Sequence, residues 1–402
     1  MIILKIVNGN VFFKQKNKEV YPYLVENRTC NICIIGGGLS SLITAYFLSK
    51  KEKDVIIVEK NIIGYGQSLG ACSIADIDLN AITKLKKRDD IMKLYEVYKE
   101  ARSDLKKMLD EIGVKYNEID KYSYTNKIMQ KGNMQKNINL KSQLFNVGGE
   151  LIDKIEGVDS VLNIKWEDKT IVLNPGEMIQ KLAKYLLEKQ NVTIYENTEI
   201  VNVDPQYEIV KMITNNNFFI TANKVVYATG MDVLKTIDVN VMTYQKYTVV
   251  TEKIKENVGK EKVMCNFNAD GGEYIQFLNS GNTVITGEDT KINMKMLDEN
   301  YKESMDTSKY TKLIVQLNKL LDMSEYIDKG MCYSTIYAKT FDMLPIIDEI
   351  ECMPNCFVIC SFGHGTILNG IVGGKILRNA VNGLFTKEVR FFRIGREACI
   401  GK

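Results

Sequence analysis

The chain contains a single histidine, His364. A Ser-His-Asp triad with a separate histidine, or a multi-histidine metal site elsewhere in the chain, is therefore excluded. The net charge is also small, because 53 basic side chains against 50 acidic ones leave only +3. We therefore expect no metal site and no nucleic-acid partner, since a nucleic-acid binder usually carries a strongly basic face.

Cysteine is too sparse for a secreted domain held together by disulfides, and the nine cysteines are odd in number, so reduced thiols are expected. The N-terminal segment lacks a long apolar run followed by a cleavage site, and we predict a cytoplasmic protein. Two uncharged runs, 31–49 and 352–374, have the length of a membrane span. Glycines, Pro354 and His364 interrupt them, so no integral membrane segment is predicted.

The composition is that of an ordinary folded protein. Of the 402 residues, 45% are hydrophobic and 26% are charged, which argues against disordered or fibrous chains. At about 150 residues per domain, the length allows two or three domains.

A complete βαβ pattern lies near the N-terminus. The apolar run 30–35 leads into three glycines, a helical pattern follows over 39–48, and a second apolar run, 55–58, ends at Glu59. In a dinucleotide-binding turn, the first glycine permits the turn and the second lets the backbone approach the pyrophosphate, while a small third residue lets helix and strand pack closely. These positions are Gly36, Gly38 and Ser41. Because Glu59 can accept hydrogen bonds from a ribose, dinucleotide binding is predicted.

Later segments alternate between two kinds of pattern. An amphipathic helix is predicted over 81–112, and another begins at Asn174. Residues 241–290 alternate apolar and polar positions, which predicts an antiparallel sheet. Buried strands before Ala228-Thr229-Gly230 and before Gly363-His364-Gly365 then indicate that the chain returns to one α/β domain.

The sequence resembles the D-amino acid oxidase/glycine oxidase superfamily of FAD-dependent oxidoreductases over nearly its whole length. The segments that carry the resemblance are IIGGGLSSLITAYFLSK, VIIVEKNIIGYGQSLG, ENTEIVNV, VVYATG, FDMLPIID and PNCFVICSFGHGTILNG. Tyr21-Pro22 and Gly64-Tyr65-Gly66 look most like the γ-glutamylputrescine oxidase branch.

The resemblance implies an α/β fold with two domains. One is a Rossmann-like FAD-binding domain of the glutathione-reductase type, and the other is an antiparallel α+β substrate domain. The FAD domain is expected to comprise 28–80, 174–235 and 331–402, and the substrate domain 81–173 and 236–330. Residues 1–27 form an N-terminal extension.

The resemblance also assigns residues to FAD. It assigns, in chain order, the turn that binds the pyrophosphate, the contact to the adenosine ribose, the loop under the phosphates, the adenine contact and the segment at the flavin pyrimidine edge. These residues are Gly36, Gly38, Leu39, Ser40, Ser41, Glu59, Lys60, Gly66, Gln67, Ser68, Ile200, Ala228, Thr229, Gly230, Gly363, His364, Gly365 and Thr366. The chain departs from the close branch at 69–71, where Leu-Gly-Ala replaces Gly-Arg-Asn. His364 is either a neutral imidazole beside the flavin or a loop histidine.

The cysteine motifs are expected to be structural. Cys30 and Cys33 form a C-x-x-C in a predicted strand, where residues three apart face opposite sides, so core cysteines are favoured over a redox pair. Some relatives attach flavin to a cysteine near Cys332, but the alignment is offset and we expect non-covalent FAD.

The substrate side departs from the family pattern. Glycine and D-amino acid oxidases hold the substrate carboxylate with an arginine, and the corresponding position is Tyr337. A phenol cannot replace that bidentate cation, although Lys246 or Lys339 could supply the charge from nearby. Tyr247 and Tyr274 either line the active site or are ordinary strand aromatics.

The expected reaction is oxidation of a C–N bond in an amine or amino-acid-like small molecule by hydride transfer to flavin N5. Oxygen or an electron carrier would accept the electrons. Two alternatives stay open: FAD-dependent oxidation of a hydroxyl substrate, such as a 2-hydroxy acid or glycerol phosphate, and a flavin-binding protein or subunit without independent turnover.

Overall fold

The computed structural model describes residues 5–8, 11–13, 19–52, 54–65, 68, 73–189, 191–254, 259–268, 273–292, 307–321, 326–360 and 365–396. The strands within these ranges are β1 Lys5–Asn8, β2 Arg28–Ile35, β3 Val55–Val58, β4 Ile74–Ala75, β5 Tyr116–Thr125, β6 Gly149–Ile152, β7 Leu162–Trp166, β8 Thr170–Leu173, β9 Val192–Tyr195, β10 Ile200–Pro205, β11 Val210–Thr214, β12 Phe219–Tyr227, β13 Val241–Thr251, β14 Lys262–Asn266, β15 Tyr274–Phe277, β16 Thr283–Ile292, β17 Lys329–Thr340, β18 Ile346–Glu349 and β19 Cys356–Cys360.

The α-helices of the described residues are α1 Leu39–Leu48, α2 Leu79–Ile82, α3 Arg88–Glu111, α4 Lys131–Phe145, α5 Pro175–Glu188, α6 Thr307–Leu320 and α7 Thr366–Ala380. Three short 3₁₀ helices are Ile128–Gln130, Gly230–Lys235 and Lys387–Phe391. Chain contacts divide the structure into two compact units. The parallel-sheet unit takes described residues within 15–116, 173–242 and 338–402, and the antiparallel-sheet unit takes those within 1–14, 117–172 and 243–337.

The parallel-sheet unit is built on five parallel strands in the order β9-β3-β2-β12-β19. Strand β3 is an unbroken apolar run, VIIV, with every residue buried, as expected for a strand covered on both faces. Antiparallel β18 pairs with β19, and β11 pairs with the first half of β12. The predicted βαβ unit is therefore confirmed, with β2 and β3 adjacent and parallel.

Helices α1 and α7 pack closely because α7 carries glycines on the contact face. A Cβ on Gly370 would lie 2.9 Å from Ile43 Cδ1, and one on Gly374 would lie 2.6 Å from Phe47 Cδ2. Helix α3 also packs on α7, where the Tyr98 hydroxyl donates a 2.8 Å hydrogen bond to the Asn369 side chain.

The antiparallel-sheet unit contains the strands in the order β1-β17-β13-β16-β15-β14-β5-β7-β6. The consecutive pairs from β13 to β14 in this order are antiparallel, which confirms the pattern predicted for 241–290. Helix α6 covers one face, where Leu313, Ile314 and Leu317 join a buried cluster with Val249 and Ile275.

The mixed α/β class is as predicted, but the unit boundaries differ from the expected domain boundaries. Residues 81–116 were expected in the substrate domain and instead lie in the parallel-sheet unit. The Tyr98–Asn369 hydrogen bond gives the physical reason, since it joins α3 to α7. Helical periodicity identifies α3 but not the element on which it packs.

The prediction for Cys30 and Cys33 was partly wrong. Both are buried, as expected of core cysteines, but both thiols join the same cluster and interact with each other. The backbone N–H groups of Asn31 and Ile32 both donate to the carbonyl oxygen of Asp54, each at 3.1 Å. Two successive N–H groups between the cysteines thus share one carbonyl oxygen, and the two cysteines do not follow the alternation of a regular strand.

Among the described residues, no helix combines the length and the apolar character that crossing a membrane requires.

Candidate functional site

The carboxyl ends of β12, β2 and β3 meet at one edge of the parallel sheet. Ala228 N–H donates to the Ile35 carbonyl at 2.9 Å, and Gly36 N–H donates to the Val58 carbonyl at 2.8 Å. Gly36 has φ of +108°, and a Cβ there would lie 2.6 Å from the Ala228 carbonyl oxygen. The turn from β2 into α1 therefore requires glycine for both its conformation and its contact.

Gly37 brings the turn against Glu59. Its N–H donates a buried 2.6 Å hydrogen bond to Glu59 Oε2, and Asn61 N–H donates to Oε1 at 2.8 Å. Burial raises the pKa of Glu59, although these two bonds oppose the rise. A carboxylate offers about four lone-pair sites, so Glu59 can accept further bonds, including those of ribose hydroxyls.

The N-terminus of α1 is suited to an anion. Its N-cap, Gly38, provides no side-chain bond, and the first turn carries no acidic residue. The hydroxyl of Ser68 accepts the Leu39 N–H at 2.9 Å, which places Ser68 beside the glycine turn. The positive end of the helix dipole and the N–H groups of the first turn favour a phosphate here.

A second buried carboxylate fixes the loop after β3. Glu196 follows β9, and its oxygens accept N–H bonds from Ile63 at 2.7 Å and from Tyr21 at 3.3 Å. Thr198 N–H donates to the Glu59 carbonyl at 2.9 Å. Ile200, the predicted adenine contact, begins β10 two residues later, so it lies close in the chain to a residue bonded to Glu59.

Lys60 and the residues after β12 complete this edge. Lys60 Nζ lies 2.7 Å from Asp232 Oδ2, and this bond raises the pKa of the lysine. Asp232 belongs to the 3₁₀ helix that begins at Gly230. The ion pair therefore joins the chain after β3 to the chain after β12.

Two buried hydroxyls at this edge provide a test of whether the residues fit a dinucleotide. Ser41 Oγ and Thr229 Oγ1 are buried and find no hydrogen-bond partner within the described parts of the chain. Buried polar atoms without a partner are rare in native proteins, and a polar ligand could supply the missing bonds. With the cradle at Gly36 and the N-terminus of α1, these residues fit FAD.

The predicted flavin segment is described only in part. Gly365 is the N-cap of α7 and Thr366 is its first residue. Gly363, His364, Gly66 and Gln67 lie outside the described residues. Ser40 lies in the first turn of α1.

The antiparallel-sheet unit brings Tyr337 into a polar aromatic cluster. Its hydroxyl donates a 2.5 Å hydrogen bond to Asp289 Oδ2, and its ring stacks on Tyr244 with centroids 5.7 Å apart. Lys246 Nζ lies 5.3 Å from the Tyr337 ring centroid. Burial, followed by the charge of Asp289, raises the pKa of Tyr337.

The remaining two tyrosines lie on opposite faces of that sheet. Tyr247 packs edge-on against Tyr310 of α6 in the buried cluster. In β15, Ile275 and Phe277 join the same cluster, so the alternation of the strand places Tyr274 on the face opposite α6. The position of Tyr247 favours an ordinary core aromatic.

The Cys332 thiol is also buried in the cluster beneath α6, and burial raises its pKa to about 11. A thiol of that pKa is a poor nucleophile at neutral pH, which favours non-covalent flavin.

Sequence reasoning missed Gly37 and Asp289. Gly37 is the middle of three glycines. The strand that ends at Glu59 was the feature of the sequence from which a contact between Gly37 and Glu59 could have been predicted. Asp289 is brought to Tyr337 by pairing between distant strands and gives no local signal.

A family model described as "FAD dependent oxidoreductase" (DAO) matches residues 31–380. No curated protein matches the chain. Glycine oxidase from Geobacillus kaustophilus is 16% identical with a TM-score of 0.75, covering 93% of this chain and 100% of that one.

Two further solved structures are similar. L-proline dehydrogenase from P. horikoshii is 19% identical with a TM-score of 0.70, over 91% of this chain and 97% of that one. L-α-glycerophosphate oxidase from Mycoplasma pneumoniae, solved with FAD bound, is 17% identical with a TM-score of 0.67. The match covers 87% of this chain and 94% of that one. Because these sequence identities are low, the similarities show that the fold is shared and nothing about the substrate.

Proposed function

The chain belongs to the family of FAD-dependent oxidoreductases, and on that premise we propose that it oxidises a C–N bond of a small amine or amino-acid-like substrate. The observation that carries the proposal is the edge formed by Gly36, Gly37 and Glu59. This edge brings together a glycine turn, a helix N-terminus that favours an anion and a buried carboxylate able to accept ribose hydroxyls.

In this proposal the N-terminus of α1 and Ser68 hold the pyrophosphate. Glu59 holds the ribose of the adenosine, while Ile200 and Lys60 flank the adenine. Thr229, Gly365 and Thr366 belong to the same FAD site. The ammonium group of Lys60 is paired with Asp232. Its proposed role is therefore to close the adenine end of the FAD site, not to offer an unpaired positive charge to the cofactor.

FAD, when bound, would supply the oxidant for removal of a hydride from the carbon next to the substrate nitrogen. The substrate would lose that hydride from carbon and a proton from nitrogen as the C=N bond forms, and water would hydrolyse the resulting imine to a carbonyl compound and an amine or ammonia. Oxygen or an electron carrier would be the final acceptor of the two electrons. The protein's contribution is to align the reacting carbon and to exclude water from it.

The printed activities of similar proteins support a C–N substrate without fixing it. Glycine oxidase and L-proline dehydrogenase both act on amino acids. The similar glycerophosphate oxidase supports the alternative, oxidation of a hydroxyl substrate.

Stopped-flow spectroscopy under anaerobic conditions tests the proposal. The oxidised holoenzyme is mixed with a panel of amines and amino acids and, separately, with a panel of 2-hydroxy acids and glycerol phosphate. We expect bleaching of the flavin absorption by at least one amine and by no hydroxyl compound. Bleaching by the hydroxyl panel alone would overturn the proposal in favour of the alternative.

The cysteines fit a reducing compartment. Those within the described residues are free, at positions 30, 33, 265, 332, 352, 356 and 360. We propose that the protein works in the cytoplasm, where thiols stay reduced.

A further inference from the structure

Asp289 gives the antiparallel-sheet unit a carboxylate with one oxygen that lacks a donor. Oδ2 accepts the hydrogen bond from the Tyr337 hydroxyl. Oδ1 is buried and has no hydrogen-bond partner among the residues that the structure describes. Such an atom requires an explanation, because buried acceptors in native proteins have a donor from the protein, from water or from a ligand.

A β-bulge sets the direction of this side chain. The register of β13 and β16 shifts between Gln245 and Tyr247, and Glu288 on β16 adopts φ of +54°. Glu288 forms ion pairs with Lys309 and Lys312 of α6, at 3.1 and 3.6 Å. Asp289 instead accepts a hydrogen bond from Tyr337, so the side chains of Glu288 and Asp289 lie on opposite faces of the sheet.

The surroundings of Asp289 suit a cation. Tyr244 and Tyr337 stack at an interplanar angle of 25°, and aromatic faces attract ammonium groups. Lys246 Nζ already lies over the Tyr337 ring. The one phenolic proton of Tyr337 is committed to Asp289, so this pair cannot donate to a substrate carboxylate while that bond holds.

We propose that Asp289, flanked by Tyr244 and Tyr337, binds an alkylammonium group. The substrate would then be an amine that carries a positive charge besides the reacting nitrogen, as diamines do. Naming this group as part of the substrate rests on the function proposed above, whereas its binding does not. The positive charge of Lys246 limits the affinity of this site for an alkylammonium group, because like charges repel.

Isothermal titration calorimetry of the oxidised holoenzyme tests the binding directly. The probes are pentane-1,5-diamine and 5-aminopentanoate, which share one amine and the chain length but end in a cation and an anion. We expect the diamine to bind at least about tenfold more tightly. Equal binding, tighter binding of 5-aminopentanoate, or no binding of the diamine would overturn the inference.

Matched variants locate the site. Asp289→Asn keeps the size of the side chain and removes its charge, and we expect diamine affinity to fall at least about tenfold. Glu288→Gln removes the adjacent charge on the α6 face and should leave the affinity unchanged. Lys246→Met should tighten diamine binding. An unchanged affinity in Asp289→Asn, with FAD content and circular dichroism intact, would contradict the assignment.

The two proposals fail in different ways. If no amine bleaches the flavin but the binding pattern holds, the ammonium site stands and the oxidation proposal fails. If amines bleach the flavin in wild type and Asp289→Asn with equal affinity, the oxidation stands and the ammonium site is wrong.

Discussion

The backbone N–H of Gly37 donates a buried 2.6 Å hydrogen bond to the carboxylate of Glu59. This contact ties the glycine turn after β2 to the end of β3. The second oxygen of Glu59 accepts the N–H of Asn61, so one carboxylate orders two turns. The residue proposed to hold the ribose therefore also shapes the turn proposed to hold the pyrophosphate.

Replacing Glu59 should weaken both the fold and FAD binding. Glu59→Ala leaves the N–H groups of Gly37 and Asn61 without an acceptor, at a cost of about 1–3 kcal/mol for a buried donor. We expect urea unfolding of the apoprotein to show this loss, and fluorescence titration to show weaker FAD binding. Glu199→Ala, at an exposed position, is the control; an equal loss there would contradict the account.

Gly36→Ala should remove FAD. A Cβ there meets the Ala228 carbonyl at 2.6 Å and the residue has positive φ, so clash adds to strain. We expect a destabilisation of about 2–5 kcal/mol and loss of bound flavin.

The control for Gly36 is Gly113→Ala. Gly113 has φ of +70° but nothing within 4 Å of its Cβ position, so only the strain of about 1–2 kcal/mol applies. Full FAD content in Gly36→Ala, or equal effects of the two variants on unfolding, would show that the close approach to Ala228 does not matter.

Arg396 should hold the C-terminal segment. Its guanidinium binds Asp342 through two hydrogen bonds of 2.7 and 2.9 Å, and the two side chains are 6% and 4% exposed. Burial opposes ionisation of Asp342, but Arg396 outweighs it and lowers the pKa of the carboxyl. Arg396→Met should cost about 3–5 kcal/mol by leaving that charge buried alone.

Thermal and urea unfolding measure this loss, with Arg393→Met as the control. Arg393 is 54% exposed and lies 4.0 Å from Asp348, so it should change stability by less than about 1 kcal/mol. Adding Asp342→Asn to Arg396→Met should restore part of the loss. Similar effects of both arginine variants would be inconsistent with a buried pair.

Glu111 should make stability depend on pH. Burial would raise its pKa, but hydrogen bonds from Tyr185, Tyr46 and Lys50 lower it from 4.5 to about 2. A lowered pKa in the folded state stabilises above pH 4.5, and this contribution is lost as pH falls towards 2. The side chain is 36% exposed, so we expect less than about 1 kcal/mol.

The measurement is urea unfolding of wild type and Glu111→Gln at about pH 6, where the contribution is complete, and at about pH 3.5, where it is being lost. The stability difference should shrink at the lower pH. A difference that stays constant would mean that the carboxyl has an ordinary pKa.

The local elements of the parallel-sheet unit were predictable because their signals are local. The run 30–35, the glycines and the run 55–58 lie within one short stretch, and strand, turn and helix each follow from neighbouring residues. Gly36 and Glu59 could therefore be identified without knowing the rest of the fold.

Features that depend on pairing between distant segments were not predictable. Cys30 and Cys33 join one cluster against the simple alternation, and the two N–H groups between them share the Asp54 carbonyl. The bulge at Glu288 likewise turns Asp289 towards Tyr337, although the pair lies 48 residues apart in the chain.

The visible absorption spectrum of the purified protein, followed by acid precipitation and identification of the released chromophore, tests the central claim most directly. We predict the two-band spectrum of oxidised flavin, with FAD in the supernatant and none left on Cys332. A colourless protein that FAD cannot reconstitute would contradict the account.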